Sequence, residues 1–327
     1  MIKEEFYFDS RDGENRIHAV RYTPDDGNVR GIVQIVHGMA EYVERYENLA
    51  EFLTKRGILV TGEDHLGHGK SVSEGGSFGY FCEQDPATVV VRDVHRLKKI
   101  TEEQYPQVPY IILGHSMGSF IARNYLCRYG SGIGGAVIVG TGMQPAGLIF
   151  ASKAMAGIQK LFCGSKHVSH FIDKAAFGGY NKRIDSPRTS SDWLSRNTEN
   201  VDRYIEDELC GFTFTVNGFQ TLFELIRRLQ KQENLEKVPQ NLPILMVSGA
   251  EDPVGDYGKG VHKACDSLKR AGVKNITVKL YENDRHELLN EDDAEVAMED
   301  IWQWICKEIP GCLLYTSPSP RDSTSSR

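Results

Sequence analysis

Residues 110–126 read YIILGHSMGSFIARNYL, an apolar run that is followed by Gly-His-Ser-Met-Gly and then by a helical pattern. The apolar, β-branched start predicts a buried strand, and the residues after Ser116 predict a helix. A serine between two glycines at such a junction is typical of a nucleophile elbow, because small neighbours let the strand and the helix approach closely. We therefore expect Ser116 to be a nucleophile and Gly114 and Gly118 to support its turn.

Other parts of the chain repeat this alternation of strands and helices. Short apolar runs at 31–38, 58–65 and 135–142 are separated by longer amphipathic segments, and the pattern resumes at 243–250 and 276–283. Strand, helix and strand in this order are typical of an α/β protein with a mostly parallel sheet flanked by helices.

Residues 145–232 interrupt the alternation with an apolar helical stretch and several Gly-rich turns. An insertion of this length after a sheet strand predicts a mainly helical lid over a site, between the core segments 1–144 and 233–311. The apolar stripe of the lid contains three candidate substrate contacts, Leu148, Phe150 and Met155. Packing of the stripe against the core is the alternative.

A serine hydroxyl needs a histidine to accept its proton and a carboxylate to orient that histidine. In an α/β sheet of this kind the acid and the histidine follow the serine in that order, each after a later strand. Asp252 and His286 have these places. Asp252 is preferred to Glu251 because it directly precedes a proline turn, and Asp256 is the reserve candidate for the acid.

Two backbone N–H groups have to stabilise the oxyanion that forms when an ester is attacked. Met117, directly after the nucleophile, is expected to supply one of them. Met39 is expected to supply the other from the loop that follows the run GIVQIV, where Gly38 lets the chain turn back towards the site.

The composition excludes several classes of function. The chain has 327 residues with 40% hydrophobic and 25% charged residues, which is ordinary for a globular protein, and its net charge of −7 opposes a nucleic-acid-binding surface. No apolar run is long enough to span a membrane, and the first ten residues lack a signal-peptide core. We expect a cytoplasmic protein that binds a small molecule, with no nucleic-acid partner and no cofactor.

No metal is expected, although two segments have ligand-like spacing. The segment DHLGHG (64–69) is interpreted as a buried, hydrogen-bonded loop under the site. Residues 163–170 contain one cysteine and two histidines but no fourth ligand, and they are interpreted as a solvated or lid-packing face. The seven cysteines are scattered without CxxC pairs, which argues against a disulfide framework.

Residues 312–327 are predicted to be a non-native, disordered tail. The last twelve residues, TSPSPRDSTSSR, contain no apolar side chain that could join a core, and the stretch from Cys312 resembles translated adapter sequence. A disordered native tail is the alternative.

From about residue 4 to about residue 310 the chain resembles the α/β-hydrolase superfamily, and within it the monoacylglycerol lipase and lysophospholipase group of serine aminopeptidase S33 type. The stretches that carry the resemblance are HGMAEYVERYENLAEFL (37–53), EDHLGHGKS (63–71), GHSMGS (114–119), GAEDPVG (249–255) and RHELLNE (285–291). Tyr42 departs from the group, which commonly has His there. The resemblance implies an eight-stranded sheet, a lid after strand six, and hydrolysis of ester bonds to single acyl chains.

The expected function is therefore that of a serine hydrolase that cleaves monoacylglycerol-type or lysophospholipid-type esters through an acyl-enzyme. One alternative is an aminopeptidase of the same fold, in which an acidic residue of the segment 206–208 (Glu206, Asp207, Glu208) would hold a free amine. Another is a non-catalytic ligand-binding protein on the same scaffold. We also expect a transient contact between the lid and a membrane surface.

Overall fold

The apolar runs form eight β-strands in a computed structural model that describes residues 1–313. The strands are β1 (Ile2–Asp9), β2 (Arg16–Thr23), β3 (Gly31–Val36), β4 (Ile58–Glu63), β5 (Tyr110–His115), β6 (Gly135–Val139), β7 (Ile244–Gly249) and β8 (Ile276–Tyr281). They form one sheet in the order β1-β2-β4-β3-β5-β6-β7-β8.

Ten α-helices connect or cover these strands within the described residues. They are α1 (Glu47–Thr54), α2 (Pro86–Gln104), α3 (Met117–Tyr129), α4 (Ala146–Cys163), α5 (His170–Phe177), α6 (Thr198–Glu206), α7 (Val216–Leu229), α8 (Gln232–Leu235), α9 (Lys259–Arg270) and α10 (Ala294–Glu308). None of them has both the length and the apolar composition needed to cross a bilayer.

The direction of the strands brings distant loops together. β2 pairs antiparallel with β1 and β4, whereas every pair from β4 across to β8 is parallel. The carboxyl ends of β3, β5, β7 and β8 therefore meet at one edge of the sheet, which is where ligands bind in open α/β sheets. The loops that hold Met39, Ser116, Asp252 and His286 all begin at this edge.

The central strands β3 to β7 are buried on both faces, which explains why most of their residues are apolar. Tyr110 and Ile112 of β5 lie in one apolar cluster with side chains of α2, α3 and α9, whereas Ile111 and Leu113 lie in another with side chains of α1 and α10. Successive residues of a strand point to opposite faces, so a strand between two helical layers is apolar at most positions.

Helices α4 to α8 lie between β6 and β7, where the helical insertion was predicted. Helix α7 packs against α2, α3 and α4, and its buried side chains, such as Phe219 and Leu225, belong to the same apolar cluster as α2 and α3. The insertion and the core thus share one hydrophobic cluster. The bounds 145–232 for a separate lid remain a prediction.

The structure contradicts the predicted tail at the first residue of that tail, Cys312. Cys312 was assigned to the tail, but it is buried beside Gly31 and Ile309 at the end of the last helical turn. The core therefore extends at least to Cys312. The other residues of the predicted tail, apart from Leu313, lie outside the described residues.

Gly118→Ala should destabilise the protein strongly, because a Cβ there would collide with the main-chain oxygens of Val36 and His37. We expect a loss of at least about 3 kcal/mol in the free energy of unfolding, as for severe overpacking. Gly157→Ala is the matched control, since a Cβ at this position of α4 meets no atom within 4 Å. It should gain about 0.5–1 kcal/mol from helix propensity. Urea unfolding measures both variants, and equal stability would refute the close approach at Gly118.

Candidate active site

Ser116 occupies the sharp turn between β5 and α3. Its φ of +54° and ψ of −120° are rarely adopted by residues other than glycine, and such a conformation costs about 1–3 kcal/mol. The turn is held because the N–H of Ser116 donates to the carbonyl oxygen of Val139 at the end of β6 (3.0 Å). The predicted elbow is thus present as a strained, well-supported turn.

The two glycines beside the elbow are required by the close approach of main chains. A Cβ on Gly114 would collide with the carbonyl oxygen of Gly118, and a Cβ on Gly118 would collide with that of Val36 at the end of β3. The first turn of α3 therefore lies directly on the main chain that leads into the loop of Gly38 and Met39. These contacts exclude a side chain at either position, which explains why both of the predicted supporting residues are glycines.

Asp252 and His286 form a buried pair at the ends of β7 and β8. Nδ1 of His286 lies 3.0 Å from Oδ2 of Asp252, which also accepts a hydrogen bond from the Ser248 hydroxyl (3.1 Å). Oδ1 of Asp252 accepts the N–H of Val254 (2.8 Å). These bonds orient the carboxylate, and the carboxylate keeps the proton of a neutral His286 on Nδ1.

His286 leaves one ring nitrogen unpaired at the candidate site. Its Nε2 is buried and has no hydrogen-bond partner among residues 1–313. His286 and Ser116 line the same cavity, and with Nδ1 protonated the lone pair on Nε2 can accept a proton. Asp256 also lines this cavity, but Nδ1 of His286 bonds to Asp252. The arrangement favours the predicted acid over the reserve.

The loop after β3 places the second oxyanion candidate against the elbow. Gly38, Met39 and Met117 all line the cavity beside Ser116. Ala40 has a φ of +53°, and its carbonyl oxygen accepts the N–H of Gly211 from the insertion (3.0 Å). The N–H of Gly38 donates to the Glu41 carboxylate on the other side. The core and the insertion thus both fix the path of this loop.

A buried charge network lies beneath the loop. Glu41 accepts hydrogen bonds from Tyr46 (2.8 Å) and Arg45 (3.1 Å), and it lies 3.2 Å from Nδ1 of His115. Burial alone would raise the pKa of Glu41, but the hydrogen bond and charge of His115 and the charge of Arg45 outweigh it, so this pKa lies well below its usual range. Glu41 is therefore ionised.

His115 is a second basic group of the network, beside Arg45. Burial lowers its pKa, but the hydrogen bond and the charge of Glu41 raise it more, so the pKa lies above its usual value. The second ring nitrogen, Nε2, lies 3.1 Å from the carbonyl oxygen of His286. A doubly protonated ring can donate to both neighbours, so His115 connects the elbow to the main chain of the candidate base.

Arg45 extends the network to the loop of His286 and to the insertion. Its guanidinium donates to both oxygens of Glu287 (2.6 and 2.8 Å), the residue after His286. The Asn200 side chain from α6 donates to the same carboxylate (2.6 Å), and the N–H of Glu287 donates to the carbonyl oxygen of Leu194 (2.7 Å). The histidine loop is thereby tied to both the core and the insertion.

The segment DHLGHG forms the buried loop that the sequence predicts. The Asp64 carboxylate accepts the N–H of Val43 (2.9 Å) and that of Lys70 (2.9 Å). The N–H of His65 donates to Nε2 of His37 (3.0 Å), just before the oxyanion loop. These bonds support the loop from below.

One group of side chains has metal-like geometry. Among the described residues, only Glu5, His18 and Glu44 bring three candidate ligand atoms within 4.8 Å of one another. Lys70 forms ion pairs with both carboxylates, and His18 bonds to Asp64 and Glu5. Ion pairing and hydrogen bonding already account for this cluster.

The cavity beside Ser116 has a volume of about 920 Å³, enough for a lipid-sized ligand. Leu148 and Met155 line it as predicted, but Phe150 does not and is 78% exposed. Neighbouring residues of a helix point about 100° apart, so Ile149 faces inwards and Phe150 outwards. The apolar lining includes Met39, Phe120, Leu148, Ile149, Met155, Phe177, Trp193, Leu194, Leu222, Phe223 and Ile226.

The acidic segment proposed for an aminopeptidase lies elsewhere. None of residues 206–208 lines the cavity, and Asp207 accepts a hydrogen bond from the hydroxyl of Tyr42 (2.8 Å). The lining does contain a carboxylate from the insertion, Asp173 of α5, whose pKa is raised by burial. Asp173, not the predicted segment, is the candidate partner for a free amine.

Three functional candidates were missed by sequence reasoning: Glu41, His115 and Glu287. Each stands within three residues of a predicted site residue, namely Gly38, Ser116 or His286. Charged residues that directly flank a catalytic motif were the available signal. The contacts among them could not be predicted from the sequence, because positions 41, 115 and 287 are far apart along the chain.

Comparison with known proteins gives consistent matches. A family model described as "Serine aminopeptidase, S33" matches residues 27–293. The chain is 28% identical over 294 residues to a monoglyceride lipase from Rattus norvegicus, with 88% of this chain and 86% of the rat protein covered. It is 27% identical over 289 residues to a monoacylglycerol lipase from Mycolicibacterium smegmatis, with 88% and 92% covered.

Two solved structures have the same fold. A thermostable carboxyl esterase from Bacillus coagulans, in complex with glycerol, superposes with a TM-score of 0.87 at 31% identity, and the match covers 94% of this chain and 99% of that one. A monoglyceride lipase variant from Saccharomyces cerevisiae, in complex with a substrate analog, gives 0.73 at 20% identity, with 94% and 96% covered, and shows the fold alone. The predicted α/β-hydrolase architecture is confirmed.

The buried carboxyl of Glu63, at the end of β4, should make stability depend on pH. Burial, together with the charge of Asp93, raises its pKa from 4.5 to about 8. Between these values the folded chain holds a proton that the unfolded chain has lost. The free energy of unfolding should therefore fall as the pH rises through this window, by about 1.4 kcal/mol per pH unit for this group.

Glu63→Gln should remove this part of the slope and be more stable than the parent chain near pH 8. Glu51→Gln, at an exposed ion pair with Lys55, serves as the control and should retain the slope. Urea unfolding between pH 5 and pH 8 measures all three proteins. Parallel curves for Glu63→Gln and the parent chain would contradict the assigned protonation.

Proposed function

The chain belongs to the serine aminopeptidase S33 family of α/β-hydrolases and is a hydrolase acting on esters, and we propose that it cleaves single-acyl-chain lipids through Ser116, Asp252 and His286. The substrate is of the monoacylglycerol or lysophospholipid type. The observation that carries the proposal is the buried Asp252–His286 pair, whose unpaired Nε2 belongs to the same cavity as the strained Ser116.

The proposed reaction begins with attack of the Ser116 hydroxyl on the ester carbonyl. His286 Nε2 takes the hydroxyl proton and returns it to the leaving alcohol, while Asp252 stabilises the imidazolium that exists between these two transfers. The acyl group remains on Ser116. Water then attacks the acyl-enzyme with His286 as base, which releases the fatty acid and restores the hydroxyl.

The oxyanion is proposed to lie between the N–H groups of Met39 and Met117. Met117 begins α3, so its N–H is one of the amide groups that the helix itself leaves unpaired, and the positive end of the helix dipole points to the same place. The N–H of Met39 depends on the bond that Glu41 accepts from Gly38. Pre-oriented donors of this kind stabilise the transition state more than the substrate.

The proposed acyl chain lies along the apolar lining of the cavity. A volume of about 920 Å³ with side chains such as Phe120, Leu148, Ile149 and Met155 suits a long hydrocarbon chain better than a short acyl group. Each methylene removed from water contributes about 0.8 kcal/mol to binding. The insertion supplies Leu148, Ile149 and Met155, which agrees with the predicted role of a lid.

The same insertion offers a surface for lipid aggregates. Phe150, Ile158, Leu161 and Phe162 of α4 are 59–84% exposed, which is unusual for large apolar side chains. We propose that they contact a membrane surface transiently. Co-sedimentation with phosphatidylcholine vesicles tests this contact, and equal sedimentation of the parent chain and Leu161→Ser/Phe162→Ser would exclude it. The cytoplasmic location remains a prediction.

An aminopeptidase remains the second candidate because Asp173 lines the cavity. Its carboxylate could hold the free amine of a peptide substrate. Parallel assays of a dipeptide anilide and 1-oleoylglycerol separate the two functions. Higher kcat/KM for the anilide would replace the lipid proposal.

Ser116→Ala should lower kcat by about four to six orders of magnitude, because no other group can take its place as nucleophile. A fluorophosphonate probe should label the parent chain once and leave the variant unlabelled. Ser152→Ala is the matched control, since Ser152 lines the same cavity from α4. Labelling of Ser116→Ala, or activity within tenfold of the parent chain, would refute the assignment. A parent chain that is neither labelled nor active would favour the binding-protein alternative.

Substrate length provides an independent test of the acyl site. With p-nitrophenyl esters of two to twelve carbons, kcat/KM should rise by about fourfold per added methylene until the site is filled. An unchanged kcat/KM across the series would contradict the apolar acyl site and leave the nucleophile assignment intact.

A further inference from the structure

A second cavity, of about 220 Å³, lies next to the candidate base. Tyr180 and Trp193 line both this cavity and the large one, so the two cavities adjoin at these side chains. The ring of Trp193 lies 5.1 Å from that of His286, centre to centre. The second cavity therefore lies beside the imidazole of His286, next to the ring of Trp193.

Three arginines line this second cavity, and two of them lack a carboxylate partner. Within residues 1–313 no carboxylate lies within 4.0 Å of Arg183 or Arg285. The guanidinium carbon of Arg183 lies 3.4 Å from the ring centre of Tyr257. Stacking of this kind leaves the N–H groups of an arginine free to donate at the edge of the plane.

The guanidinium of Arg285 donates hydrogen bonds to uncharged main-chain acceptors. Its Nη1 donates to the carbonyl oxygens of Asp192 (2.7 Å) and Ser195 (3.0 Å), which hold the guanidinium in place without neutralising it. Arg285 is therefore a fixed positive charge beside His286. It is also part of the packing of the insertion, which makes it unsuitable for a simple deletion test.

The remaining charged groups of the cavity are Arg196 and Glu251. Arg196 is already paired with Asp284 and with Asp293 (3.2 Å), so it adds little free positive charge. Glu251 is exposed and is the one carboxylate among the lining residues. Two unpaired guanidinium groups thus face one carboxylate, which leaves the cavity suited to an anion.

The chemistry of the proposed reaction determines what part of the substrate comes near this cavity. His286 must give its proton to the oxygen of the leaving alcohol, so the alcohol lies on the His286 side of Ser116. Trp193 lies on that side, and the arginine-lined cavity adjoins the large cavity at Trp193 and Tyr180. A group attached to the alcohol is therefore the part of the substrate that can reach the arginines.

We propose that the second cavity binds an anionic phosphate carried by the leaving alcohol, so that the substrates of this enzyme are lysophospholipids more than neutral monoacylglycerols. This inference rests on the proposed function of Ser116. The phosphate stays intact: the acyl–oxygen bond is broken, water supplies the hydroxyl of the fatty acid, and the glycerol phosphate leaves with the proton from His286. Guanidinium groups suit this role because they bind phosphate oxygens in pairs.

The test compares two substrates that share one acyl chain, 1-oleoylglycerol and 1-oleoylglycerol 3-phosphate. The parent chain should have a higher kcat/KM for the phosphate by about tenfold at low salt, and this ratio should fall as the ionic strength rises. Arg183→Gln should lower the ratio by about five- to tenfold through KM, since it removes a charged donor. Lys182→Gln is the matched control, because Lys182 is exposed and lines neither cavity, and it should leave the ratio unchanged.

A second variant acts in the opposite direction. Glu251→Gln removes the opposing carboxylate, so it should raise the ratio, which a purely structural role of the loop would not do. A ratio that neither Arg183→Gln nor Glu251→Gln changes, with 1-oleoylglycerol still cleaved, would overturn the phosphate site alone. Failure of the parent chain to cleave either lipid would overturn the proposed function and the phosphate site together.

Discussion

Glu41 carries a buried negative charge on which the geometry of the whole site depends. Its carboxylate accepts the N–H of Gly38 from the proposed oxyanion loop and contacts His115 beside Ser116, the proposed nucleophile, and Arg45 connects it to Glu287 beside His286, the proposed base. Burying a charge is costly, and removing one partner of such a group costs about 3–5 kcal/mol. The network therefore holds three loops in one arrangement, although their residues are far apart in the sequence.

The strained turn at Ser116 depends on the same arrangement. An unfavourable φ persists only where the surroundings fix it, and here the surroundings are the Val139 carbonyl, the glycine contact at Gly118 and the ring of His115, which contacts Glu41. The turn holds Ser116 at the carboxyl-terminal edge of the sheet, where it lines the cavity. The contacts that stabilise this part of the core are thus the same contacts that hold Ser116 in position.

Much of the architecture could be predicted because it depends on local patterns. Apolar runs indicated the strands, and the GHSMG turn indicated the elbow, since both follow from the periodicity and the small residues of one segment. The places of Asp252 and His286 followed from the order of the strands. The family resemblance implied eight strands, but the antiparallel pairing of β2 with β4 and the order of the strands were not predicted, because strand order is set by contacts between distant segments.

The errors and omissions have a common physical cause. Phe150 was chosen by its apolar character, but the helix phase that turns it away from the cavity depends on how α4 docks. The acidic segment 206–208 was chosen for its charge, yet Asp207 bonds to Tyr42. The Glu41 network and the arginine-lined cavity were missed because each joins segments more than 60 residues apart, as from Glu41 to His115 and from Arg183 to Arg285. Local sequence patterns thus did not predict which way a side chain points or which distant residues pair.

The central claim is that the loops after β3, β5, β7 and β8 assemble one acyl-transfer site. A crystal structure of the chain after reaction with a long-chain alkyl phosphonate tests it most directly. The account predicts a bond from phosphorus to Oγ of Ser116, a phosphoryl oxygen within about 3 Å of the amide nitrogens of Met39 and Met117, and the alkyl chain in the large cavity. A phosphonate on another side chain, or a phosphoryl oxygen directed away from both amides, would contradict it.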